Sequence, residues 1–223
     1  MKLNEKKTKN IIFNFTRKYQ FTTNLSVNNK KIEIVKETKL LGTHITDDLK
    51  WNKNTSEIIK KAYKRMPILT NAAAFTTNRQ DLKKIYLTYI RSVLDQSSVL
   101  WHSSLSQKNI KDLERVQKVA VRVIMGKNFN NYQESLLELN LKNLNARRQD
   151  MCLNFAKKSV KNNKVKNMFP KNLKLHTMKK RRNEVYQIKK HKTKRYKRSA
   201  IPYMAQLLNI DKEKRKQIIN GLY

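Results

Sequence analysis

Apolar positions recur every second residue at the start of the chain and every third or fourth residue further on. Ile11, Phe13 and Phe15 alternate with polar neighbours over residues 10–16, which predicts a strand with one apolar face. Leu25 and Val27 precede Asn28-Asn29-Lys30-Lys31, and Ile32 and Ile34 follow it. Asparagine tolerates positive φ, so this spacing predicts a β-hairpin turn. Leu40-Leu41-Gly42-Thr43-His44-Ile45 reads as a further short strand. From Trp51 onward the period becomes helical.

A helix is expected over residues 53–74, with Pro67 kinking or ending it. Leu82, Ile85, Tyr86, Tyr89, Ile90, Val93, Leu94, Ser97 and Trp101 step by three and four, which predicts one long amphipathic helix with an aromatic buried face. Asn78 before it, with Asp81 following, reads as an N-cap and an acidic first turn. Ile110, Leu113, Val116, Ala120, Val123 and Ile124 form a second stripe, and Gly126 after it suits a helix C-terminus. Shorter helices are expected near residues 133–139 and 144–160. Residues 199–209 are apolar again, and either dock on the core or form a free amphipathic turn; 211–220 reads as a short charged helix. The fold class expected is mainly α with a small N-terminal antiparallel β-hairpin or sheet (α+β). A helical bundle then leads into a basic, partly disordered tail. The segments divide as 1–52, 53–162, 163–198 and 199–223.

Charge changes the picture most. The 223 residues carry 51 Lys and Arg against 16 Asp and Glu, a formal net charge of +35. Such a surface calls for a polyanion, with nucleic acid the first candidate and an anionic membrane the second. Residues 157–198 hold 18 bases and one acid, so they read as an extended or weakly helical arm. One cysteine and four scattered histidines argue against a disulfide framework or a Cys/His zinc module. Glycines at 42, 126 and 221 leave no phosphate-binding glycine loop. No apolar run reaches the roughly 20 residues of a membrane span, and nothing at the start reads as a signal peptide.

Five clusters, in order, resemble the C-terminal end of a non-LTR (LINE-type, jockey-like) retrotransposon reverse transcriptase. They are Leu3-Asn4 with Lys7-Thr8-Lys9, Ile11 and Phe13; Lys39-Leu40-Leu41-Gly42-Thr43 with Ile45, Asp47, Leu49 and Trp51; Ile85-Tyr86 with Tyr89-Ile90-Arg91-Ser92 and Trp101; Leu113-Glu114 with Val116-Gln117-Lys118, Ala120, Arg122 and Gly126; and Tyr132 with Leu136, Leu139, Leu141, Leu144 and Arg147-Arg148. Arg195-Tyr196 with Ser199 and Ile201-Pro202-Tyr203 is similar to the end of such polyproteins. The resemblance implies an end-of-palm β segment over 1–52, a thumb-like helical domain over 53–162, a basic arm and a short helical tail.

The same resemblance implies that the family's aromatic-x-Asp-Asp metal hairpin lies before Leu3, so no catalytic residue and no metal site is expected here. Magnesium is expected only for a complete polymerase. Asp47-Asp48 follows the Leu-Gly strand and reads as a turn or helix start. By resemblance, Lys7 either contacts triphosphate or is a solvated charge. Gly42 lies in a primer-grip-like region, where Trp51 either stacks on a base or anchors the core. Tyr86, Tyr89 and Trp101 read as core, His44 and His102 as polar neighbours, and Cys152 as a buried thiol.

The basic helix faces are the stronger candidates for binding. Arg91, Arg115, Lys118 and Arg122, together with Lys83, Lys84 and Lys111, recur beside the apolar stripes, and such a face can follow a phosphate backbone. Arg147 and Arg148 could clamp a phosphate. Lys180, Arg181 and Arg182 fall in a basic run that binds polyanion and resembles a nuclear-import signal. The expected partners are RNA and DNA backbones and an upstream polymerase half, not a membrane, in an intracellular and nuclear setting. The competing readings are a basic structural protein associated with nucleic acid, and the tail of an active polymerase whose catalytic half is encoded upstream. Residues 39–72 also resemble a segment classed with AlkB-homologue tRNA-modifying proteins, but Thr46 stands where an iron-binding His-x-Asp would need aspartate after His44.

Overall fold

The computed structural model describes residues 4, 7–16, 19, 21–172, 185–190 and 193–219, with side chains of the final helix described through residue 211. The chain is mainly helical, with small two-stranded ladders near the N-terminus.

Strands β2 (Ser26–Val27) and β3 (Lys30–Lys31) pair antiparallel across Asn28 and Asn29, at φ 51° and 62°. Both asparagines adopt the left-handed backbone that a two-residue hairpin with right-handed twist needs. β1 (Lys9–Asn10) pairs in parallel with β4 (Glu33–Ile34). Two expectations are corrected here. Among the described residues the strand predicted over 10–16 pairs only at Lys9 and Asn10, and Phe13 and Phe15 stay 45% and 54% exposed. The segment around Leu40–Ile45 is a second hairpin, in which β5 (Glu37–Leu40) turns through Leu41 and Gly42, at φ 47° and 84°, into β6 (Thr43–Thr46).

Helix α1 (Asn52–Phe75) runs unbroken through Pro67. Pro67 and Tyr63, four residues before it, both lie on the exposed side, so the carbonyl that loses its donor is on the solvent side of the helix. Met66 and Leu69, on the opposite face, are buried against the core and hold the helix together.

The long helix expected through Trp101 is interrupted. α2 (Arg79–Ile85), capped by the Asn78 side chain, widens into a π-helical stretch at Tyr86–Arg91, resumes as α3 (Ser92–Leu94), and stops. Ser97, at φ 52°, reverses the chain into α4 (Ser98–Trp101). One local hydrogen bond and one tertiary ion pair outweigh periodicity here. The Trp101 indole N–H donates to the Gln96 carbonyl at 3.1 Å and Arg147 binds Asp95, so the reversal is pinned from both sides. Tyr89, read as core, is 47% exposed.

α5 (Gln107–Met125) starts at Ser106, whose hydroxyl accepts from the Asn109 N–H, and ends at Gly126, at φ 55°. α6 (Tyr132–Glu138) and α7 (Leu144–Lys161) begin at Asn131 and Asn143, each capping with its own side chain. One core joins α1 to α6. A second joins Cys152 and Ala156 of α7 to Met204, Ala205, Leu207 and Leu208. These last four lie on α9 (Ala200–Ile219), which follows α8 (Lys194–Lys197), so the apolar segment after residue 199 docks on the core.

The arm expected over 163–198 is anchored where it is described. Phe169 and Tyr186 are buried in the second core, and the Asn209 side chain bonds both the N–H and the C=O of Tyr186. Lys180, Arg181 and Arg182, with the disorder expected around them, lie outside the described residues. Among the described residues no helix is long and apolar enough to cross a membrane.

Candidate nucleic-acid interface

Helix α5 divides its circumference between a buried polar network and a row of exposed cations. On the inner side Gln117 is fully buried and accepts from the Tyr86 hydroxyl at 2.6 Å. Its amide donates to the Tyr132 hydroxyl at 3.0 Å and to the Lys142 carbonyl at 3.1 Å. Glu114 accepts from the Tyr132 hydroxyl and, at 3.0 Å, from the first N–H of α7. Burial raises the phenols of Tyr86 and Tyr132 well above their usual range, and the Glu114 carboxylate adds to the rise at Tyr132. Each buried polar group thereby gains the partner it loses from water.

This network fixes the rotation of α5, and the opposite side presents Lys111, Arg115, Lys118 and Arg122, all exposed. None of the four forms an ion pair among the described residues. Arg122 rests on the Phe129 ring at 5.1 Å, which positions its guanidinium while leaving its charge uncompensated.

The remaining sequence candidates separate into three groups. Arg91, Arg147 and Arg148 gather around Asp95, and Gly42 meets the adjacent Gln96. A Cβ built on Gly42 would stand 2.4 Å from the Gln96 amide nitrogen, so the hairpin tip meets the α3–α4 reversal directly. Arg147 pairs with Asp95 at 2.7 Å. Arg91 is half-buried, and burial together with the nearby Arg147 charge lowers its pKa.

Arg148 is a correction. It is 1% exposed, donates to the Leu94 carbonyl at 3.1 Å, faces the Trp101 ring at 5.1 Å and has Asp95 at 3.7 Å. A guanidinium enclosed in this way balances a buried carboxylate and cannot reach a phosphate. Arg147 is 35% exposed but already committed to Asp95, so the pair as a clamp is not formed.

Trp51 makes up the second group. It immediately precedes α1, packs on the main core and also lines a surface hollow, so both of its sequence readings have a physical basis. The third is Lys7, which is exposed on a short turn closed by Asn4 and stands apart from the α5 row.

Asp48 closes the turn before α1. It accepts from the Thr46 hydroxyl at 2.7 Å and the Lys50 N–H at 3.0 Å, and pairs with the Lys50 ammonium at 2.9 Å. The backbone bond, more than the ammonium, lowers its pKa to about 2. Among the described residues no group of three or more His, Cys, Asp and Glu is placed to hold a metal ion. Burial pushes the Cys152 thiol up to about 11, and burial aided by Arg148 lowers His102 to about 4.

Sequence reading placed Glu114 and Gln117 in a resemblance but assigned them no structural role, although a glutamine beside Val116 on an otherwise apolar stripe was the available signal. It also missed that Lys194, Arg195 and Arg198 return to the start of α1, where the Ser104 hydroxyl donates to the Arg198 carbonyl at 2.8 Å and the Arg195 guanidinium lies 4.4 Å from the Phe15 ring centre. No protein-family model, no curated protein and no solved structure matches this chain.

Proposed function

We propose that this chain is a nucleic-acid-binding module that grips phosphate backbones without reading sequence, related to the thumb end of a non-LTR retrotransposon reverse transcriptase. Binding, rather than nucleotide transfer, is the activity proposed for it. The observation that carries the reading is the α5 row: Lys111, Arg115, Lys118 and Arg122, exposed and without ion-pair partners among the described residues, on a helix whose opposite side is anchored by Gln117. Cations spaced at one helical turn can follow a phosphate chain, and they carry no donor pattern that distinguishes bases. The net charge of +35 supports the same partner. The family relationship rests on the ordered sequence clusters, together with a hairpin leading into a helical unit.

The test is a salt titration of binding to a duplex by fluorescence anisotropy. Four phosphate contacts give a slope of about −3.6 in log K against log salt, an affinity loss of about 150-fold between about 50 and 200 mM salt. Replacing all four residues by glutamine should flatten the slope by about that amount. A wild-type affinity that ignores salt refutes the reading.

A further inference from the structure

The groove beside the α5 row continues past the N-terminal start of that helix. A hollow of about 640 Å³ between α1 and α5, holding Lys108 and Arg115, shares Asn52, Ser106 and Asn109 with a second of about 290 Å³. The second, holding Lys194 and Arg198, shares Asp48, Leu49 and Arg195 with a third of about 800 Å³ that extends to Phe15. The three adjoin as one trough. Its middle is braced by the Asn109 side-chain amide donating to the Asn52 side-chain Oδ1 at 2.8 Å and by the Ser104–Arg198 bond.

Each hollow contains an aromatic ring: Tyr63 in the first, Trp51 in the second, and Phe15 beside Tyr196 in the third. Tyr63 and Phe15 are 40% and 54% exposed, far more than core packing requires. The trough also carries Asp47, Asp48 and Asp112; Asp48 is already neutralised by Lys50. Cations alternating with recessed rings form a surface for unpaired bases. Phosphates meet the guanidinium and ammonium groups while base faces stack on the rings, and a duplex, whose base faces are already stacked, cannot use the rings.

We propose that this trough takes a single-stranded segment of RNA or DNA, with bases stacking on Tyr63, Trp51 and Phe15. The proposal deepens the phosphate-binding reading and rests on it. The full chain is titrated against a labelled oligouridylate of about 16 nucleotides and against a duplex of the same length. Tyr63→Ala and Phe15→Ala, both at exposed sites and checked for unchanged circular dichroism, should each weaken single-strand binding by about fivefold or more. Duplex binding should stay within about twofold. Ultraviolet crosslinking of the oligouridylate should label peptides containing Tyr63 and Trp51.

Equal losses on both polymers, or no loss on either, overturn the trough while leaving phosphate binding intact, as do crosslinks confined to the outer row of α5. Failure of the wild-type chain to bind either polymer removes the underlying reading as well.

Discussion

Arg148 separates a phosphate-binding reading from a structural one, and Asp95 is the lever that tests it. The two side chains are 1% and 9% exposed, with the Arg148 Nε 3.7 Å from the Asp95 Oδ1, and neither atom has a hydrogen-bond partner among the described residues. Their attraction is therefore carried by charge. At an effective dielectric constant of about 20, two unit charges at this distance attract by about 4.5 kcal/mol. Removing one partner of a buried pair costs about 3–5 kcal/mol, because the other charge is left enclosed without compensation. Asp95→Asn keeps the shape and deletes the charge, so it should lower the melting temperature by at least about 6 °C at this chain length. Arg147→Ala should cost less, since Arg147 is 35% exposed and water can replace it at Asp95. Thermal melts by circular dichroism, with urea midpoints as a second measure, read both. Arg148→Met should leave the nucleic-acid affinity of the folded protein unchanged. A melting shift below about 2 °C for Asp95→Asn, combined with weakened binding in Arg148→Met, would return Arg148 to the phosphate-binding surface.

At Gly42 the backbone is at φ 84° and a Cβ would press on the end of the flexible Gln96 side chain. Gly42→Ala should cost about 1–2 kcal/mol in melts, mostly from the backbone. Adding Gln96→Ala should therefore recover little, whereas full recovery would place the cost in the steric contact. His102 is buried, faces Arg148 and meets Tyr203 edge-on at 6.0 Å, and its pKa falls from 6.5 to about 4. The unfolded chain takes up the proton first, so stability is full above pH 6.5 and is lost as pH falls toward about 4. The slope from this one group is at most about 1.4 kcal/mol per pH unit. Urea midpoints measured from pH 7.5 to 4.5 should decline less steeply in His102→Gln, and parallel curves would refute the assignment.

What was legible in the sequence follows the range of the forces involved. Local signals held: Asn28-Asn29 made its turn, Asn78 capped α2, and Gly126 ended α5. Each of these needs only a backbone angle or one nearby side chain. Features set by distant partners did not read correctly. Nothing in the steps of three and four from Leu82 to Trp101 announces a turn at Ser97, because the Arg147 guanidinium that holds the adjacent Asp95 arrives from α7. The Ile11-Phe13-Phe15 alternation promised a strand, yet a strand requires a neighbour, and the Phe15 ring instead stays 54% exposed with the Arg195 guanidinium 4.4 Å from its centre. The exposure of Arg115, Lys118 and Arg122 was legible because their spacing sets them beside, not within, the apolar stripe of the helix. Arg148 was not, since burial separates it from the adjacent Arg147 and the sequence presents the two as equals.

The acidic residues explain why the α5 row is left bare. With 16 carboxylates against 51 bases, placement matters more than number. Asp95 is spent on Arg147 and Arg148, Asp211 on Lys157, Asp150 on Lys142, Glu138 on Arg79 and Asp48 on Lys50. Glu114 faces inward to Tyr132 and the start of α7 rather than outward to its neighbours on α5. These acids tie separate elements together or close a turn, which leaves Lys111, Arg115, Lys118 and Arg122 without an ion-pair partner among the described residues. Like charges packed this closely work against the compact state, and the repulsion is relieved by whatever anion lies along them. A polyanion on this surface thus stabilises the fold as it binds, by mass action on the native state alone. The charge imbalance that burdens the isolated chain and the affinity proposed for it have one physical origin.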